Sequence, residues 1–135
     1  MIFIFMGNTL VKHKKNPEPS YHCLIFVYLN MIKNKKILLR IKQLVNLVEP
    51  TATVILYGSF ARGQNKKQSD IDLLILVDND NVTYSDEKRI KYPLYDLEFE
   101  TGKIISPLIF SRKDWETRHS VTPLYNNISQ EGVLL

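Results

Sequence analysis

At 135 residues, 44% apolar and 24% charged, the chain has room for one compact domain with a real core, and its composition excludes a disordered polymer. One cysteine (Cys23), three scattered histidines (His13, His22, His119) and no apolar run near the roughly 20 residues that cross a bilayer exclude a disulfide framework, a zinc motif and a spanning helix. The expectation is a cytoplasmic protein without a membrane partner, and a net charge of +4 is too small an excess to predict a nucleic-acid partner.

Residues 1–30 do not share the pattern of the rest. Met1–Met6 is apolar but lacks the basic flank of a signal peptide, and Lys12–Ser20, with Pro17 and Pro19, reads as an unstructured link. Residues 1–30 are therefore expected to be an N-terminal extension without fixed structure, Met31 an alternative start, and 31–135 the domain proper. From Asn34 to Val48, apolar residues recur at Ile37, Ile41, Leu44, Val45 and Val48, which is helical spacing. Lys33, Lys35, Lys36, Arg40 and Lys42 read as its solvated face, and Pro50 stops it. Thr53–Tyr57 is a β-branched, apolar run bounded by Pro50 and Gly58, a buried strand. Ser59–Gln64 suits one helical turn or two. Ile71–Val77 is a second buried strand whose one polar member is Asp72.

Residues 83–101 admit two readings. As a helix, Ile90, Leu94 and Leu97 share a face, Ser85 caps the start and Gly102 closes the end. As a strand, Tyr95, Leu97 and Phe99 alternate with Asp96, Glu98 and Glu100, and Pro93 suits neither interior. The helix is the preferred reading. Ile104–Phe110 follows as a third strand, which Pro107 places at an edge or bulge. Asp114–Arg118 and Pro123–Gln130 are short helices, and Gly132–Leu135 ends the chain.

The chemistry concentrates in Gly58–Asp72. Gly58 follows a buried strand at a point where a side chain would block close approach of a ligand. Ser59 adds a hydroxyl and an N–H at the first turn of a helix, where amides lack carbonyl partners and attract anions. Asp70 and Asp72, one residue apart, aim both carboxylates the same way if they lie on a strand. Two such carboxylates repel unless a divalent cation neutralises them, and hard oxygen ligands suit Mg²⁺ shared with substrate phosphates. Arg62, Lys66 and Lys67 lie between the two halves and are available to phosphate charge. An unpaired Asp72 inside a run of Leu, Ile and Val would be costly, so a purely structural role does not account for it.

Gly58-Ser59, ten intervening residues and Asp70-Ile71-Asp72 resemble the signature of the DNA polymerase β-type nucleotidyltransferase superfamily. Gly58–Gly63 and Ser69–Leu73 together resemble its minimal nucleotidyltransferase branch, as does the ending Trp115–Leu135. The resemblance covers roughly residues 34–135. It implies an α+β fold, a small mixed sheet of three to four strands flanked by helices. It also implies an enzyme that moves a nucleoside monophosphate from a nucleoside triphosphate, ATP above all, to a hydroxyl on a protein or small molecule. Carried onto this chain, Asp70 and Asp72 are the catalytic carboxylates and ligate two Mg²⁺ ions, while Gly58, Ser59 and Arg62 meet the nucleotide, Arg62 by phosphate contact or by bracing the motif. Minimal members resemble antitoxins encoded beside a small helical partner protein that they modify. The pattern departs at the superfamily's third carboxylate. In the helix reading its place falls near Ser106; in the strand reading Asp96 or Glu98 serves. A chain lacking that carboxylate would be a weakened module that binds nucleotide or a partner.

Overall fold

The structure is a computed structural model that describes residues 21–135, within which Asn34–Leu135 form one compact unit. The Met1–Met6 run and the Lys12–Ser20 link lie outside the described residues. Helix α1 spans Tyr21–Val48, so residues 21–30, expected as part of an extension without fixed structure, are helical. Neither Pro nor Gly interrupts that stretch, and nothing local stops the helix at Asn34. Ile37, Ile41 and Val45 are its buried stripe, the periodicity that predicted it.

Strands β1 (Thr53–Tyr57) and β2 (Ile71–Val77) occur as expected and pair antiparallel, Thr53 opposite Leu76 and Tyr57 opposite Asp72. The short helix α2 (Gly58–Ala61) lies between them in sequence. Residues 84–101 are helix α3, which settles the ambiguity against the strand. Ile90, Leu94 and Leu97 are fully buried, and burying that stripe outweighs the single ladder bond that Pro93 removes. The start is capped by Thr83, whose hydroxyl accepts from the Asp86 N–H while the Asp86 carboxylate accepts from the Thr83 N–H. Ser85 is not the cap, because only Thr83 has an acidic residue three positions on. Gly102 ends the helix in the left-handed region at φ 65°.

Helix α3 carries the chain across to β3 (Ile105–Ser111), which pairs parallel with β2, as a parallel neighbour requires such a crossover. Pro107 sits on this strand, which is at the edge of the sheet, where a missing N–H leaves no ladder broken. Two short helices, α4 (Arg112–Thr117) and α5 (Pro123–Glu131), lead to β4 (Val133–Leu134), which pairs antiparallel with β1. The sheet is mixed, in the order β3-β2-β1-β4.

Strand alternation divides the sheet into two faces. Val54, Leu56, Ile71, Leu73, Ile75, Ile105 and Ile109 form one cluster with the buried residues of α1 and α3. Leu74 and Leu76 pack on the other side with Trp115 of α4 and Ile128 of α5, joined by Tyr57, Phe110 and Tyr125. Asp72 shares this second face, at the end of β2. Gly132 admits β4 to the sheet, because a Cβ there would lie 2.5 Å from the Ile128 carbonyl oxygen and 2.9 Å from Ile55 Cγ2. Gly132→Ala is expected to destabilise the fold by about 1–3 kcal/mol through this overpacking, read as a lower urea midpoint; an unchanged midpoint would show that β4 yields freely.

Candidate active site

The chain leaves β1 at Tyr57 in extended conformation and enters α2 through Gly58 at φ 71°. Glycine is required there twice over. The left-handed conformation disfavours any other residue, and a Cβ would stand 2.5 Å from Asp72 Oδ2. The pairing of Tyr57 with Asp72 across the strands produces this approach. Gly58 and Asp72, fourteen positions apart, thus touch at one point, and half-buried Ser59 follows at the first turn of α2.

Asp70 immediately precedes β2 and is exposed, whereas Asp72 is half-buried on the strand. Burial first, and the Asp70 charge second, hold the Asp72 carboxyl above its ordinary range, while the Arg62 guanidinium pulls it down. Tyr57 is raised as well, by burial and then by the Asp72 charge. Burial and the neighbouring Asp70 charge thus disfavour the ionised form of Asp72, a condition that a hard cation would relieve. The two carboxylates fit a divalent ion shared with phosphate oxygens. Ser106 sits beside Asp72 on the neighbouring parallel strand, and no group of three or more His, Cys, Asp or Glu side chains suited to a metal occurs among the described residues. Asp96 and Glu98 lie on α3, which packs on the opposite face of the sheet; the Glu98 carboxylate accepts the Ile105 N–H.

The loop between the two halves of the motif is tied at several points. Ser69 Oγ accepts the Lys66 N–H at 2.7 Å, and Lys103 Nζ donates to the Lys67 carbonyl at 2.7 Å. Arg62 donates through Nη1 to both Glu131 oxygens at 2.9 Å and through Nε to Gln64 Oε1 at 3.0 Å. Lys66 and Lys67 are exposed. Sequence reasoning missed Tyr57 and Glu131. The position of Tyr57, directly before the Gly-Ser turn, was a usable signal; nothing local marks Glu131 as the partner of an arginine 69 residues away.

Comparison with known proteins adds to this geometry. The family model described as a nucleotidyltransferase domain matches residues 34–121. A protein of Methanocaldococcus jannaschii, named as a candidate protein adenylyltransferase, is 40% identical over 60 residues, 44% of this chain and 59% of that one. The match thus spans less than two thirds of that relative. Two solved structures share the fold, each over 70% of this chain and 68% of theirs with a TM-score of 0.51. One is a toxin-antitoxin with AMP-PNP, 19% identical; the other is a mutant of the toxin-antitoxin MntA-HpeT, 17% identical.

The raised Asp72 carboxyl makes stability depend on pH with a definite sign. The folded chain binds this proton more tightly than the unfolded one, so the contribution is present below pH 3.8 and lost as pH rises through the raised folded value. In EDTA, Asp72→Asn is expected to melt higher than the parent chain at pH 7, with the gap closing towards pH 3. A lower melting temperature at pH 7 would contradict the repulsive environment.

Proposed function

Because this chain belongs to the nucleotidyltransferase domain family, we propose that it transfers a nucleoside monophosphate from ATP to a hydroxyl on a protein or small-molecule acceptor. The observation that supports this reading is the close approach of the Gly58 backbone to the Asp72 carboxylate. Ser59, with its hydroxyl and the free amides of the α2 turn, receives the triphosphate. Asp70 and Asp72 hold Mg²⁺, with two ions as the working number. When bound, Mg²⁺ neutralises the phosphate charge and lowers the pKa of an oxygen that it binds.

The acceptor oxygen forms a bond to the α-phosphorus, the bond to the bridging oxygen breaks, pyrophosphate leaves and the acceptor proton passes to solvent water. Asp70 and Asp72 would act on the triphosphate only through the Mg²⁺ that they would hold, since carboxylates alone repel phosphate. No protein carboxylate stands at 106 to take the proton, which favours a second reading: a weakened module that binds nucleotide or a partner. We favour the enzyme, since the Gly58 turn meets the Asp72 carboxylate and Asp70 stands two residues before it. The M. jannaschii relative, named for protein adenylylation, supports a protein acceptor; an antitoxin role with a small helical protein as acceptor is our extension from toxin-antitoxin structures that share the fold. Residues 31–135 form the transfer domain in this reading, supported by the family match from residue 34. Among the described residues no helix is long and apolar enough to cross a membrane; a cytoplasmic location is part of the proposal.

Incubation with α-labelled ATP, Mg²⁺ and cell extract is expected to label an acceptor, and Asp70→Asn with Asp72→Asn to abolish the label. Label transfer that survives the double substitution would refute the site. Ser106→Asp separates the two readings. If position 106 lacks a base, the substitution raises turnover by about 100-fold or more. A fall in turnover would show instead that the reaction proceeds without a carboxylate there and that a further negative charge is harmful.

A further inference from the structure

Arg62 and Glu131 join the phosphate-binding turn to the far end of the chain. The Arg62 N–H closes α2 on the Gly58 carbonyl at 3.2 Å, while its guanidinium is engaged by Glu131 and Gln64. Glu131 is the last residue of α5. The next residue, Gly132, donates its N–H to the Ile128 carbonyl at 2.8 Å, and β4 then pairs with Ile55 and Leu56, the residues that deliver Tyr57 and Gly58 to the site. One C-terminal segment therefore grips the turn at both ends, through β4 on β1 and through Glu131 on Arg62. This segment lies beyond the family match, which ends at residue 121.

We infer that Glu131 is a positioning residue of the proposed transfer site: through Arg62 it holds the Gly58–Ala61 turn in place, and it keeps that guanidinium engaged away from the phosphates. The inference rests on the nucleotidyl-transfer reading. Arg62 is then a brace, the second of the two roles that the resemblance implies. The ion pair is half exposed, at 44% and 27% of the two side chains, so its effect is on geometry more than on global stability.

The test uses the full chain with labelled ATP, Mg²⁺ and the acceptor extract. Glu131→Gln is expected to lower kcat about tenfold while shifting KM for ATP by less than about threefold, and Glu131→Asp, which keeps the charge, to recover most of the turnover. Glu131→Gln combined with Arg62→Gln should be no slower than Arg62→Gln alone, because both act through one contact. Arg40→Gln breaks a comparably exposed pair, Arg40–Glu100, and serves as the control that leaves turnover unchanged. Tighter ATP binding with unchanged kcat in Glu131→Gln would make Glu131 a competitor of the phosphates and overturn the inference. Additive losses in the double variant would overturn it too, as would a lower melting temperature with turnover per folded molecule intact. These outcomes, seen with an active parent chain, leave the functional reading standing; a parent chain that neither binds nor turns over ATP would refute that reading and this inference together.

Discussion

A carboxylate pressed against a backbone that has no side chain is the contact on which the site depends. Asp72 Oδ2 occupies the volume where a Cβ of residue 58 would be, so strand pairing and helix entry are possible together only with glycine. The requirement runs outward from that point. Tyr57 must be extended to pair with Asp72, Gly58 must take a positive φ, and α2 begins at once. Each step is backbone geometry, supported by strands whose odd and even residues are buried on opposite faces.

The charges work against this arrangement. Asp70 and Asp72 repel, and partial burial of Asp72 raises the cost of its charge. The flanking strand residues Ile71 and Leu73 are fully buried and hold β2 in register. Ser106 beside Asp72 adds no charge and no hydrogen bond to either carboxylate, so the negative potential is set by two groups rather than three.

The two faces of the sheet divide the labour. One carries α1 and α3 and most of the aliphatic core; the other carries Trp115, Ile128 and the aromatic side chains around them, and ends at the carboxylates. Phe110, Trp115, His119 and Tyr125 have ring centroids within 4.3–5.7 Å of a neighbour, a stiff layer on the site's own side of the sheet. The C-terminal segment completes this layer and returns to β1, so the last residues of the chain bear on the first turn of the motif.

What could be read in the sequence was what short-range spacing encodes. The stripe Ile37, Ile41, Val45 implied a helix, and the runs Thr53–Tyr57 and Ile71–Val77 implied strands, because a 3.6-residue or two-residue period is a local property. The Gly58-Ser59 turn and the Asp70, Asp72 pair stood out for the same reason, since their chemistry is carried by residue type over fifteen positions. Tertiary structure decided the rest. Only the sheet could choose the helix for 84–101 in spite of Pro93, because the choice depends on what Ile90, Leu94 and Leu97 bury against. Only strand register could set Ser106 opposite Asp72, and only the closed fold could bring Glu131 to Arg62 across 69 residues. Contacts between distant residues leave no period in the chain; they exist once the faces have found each other.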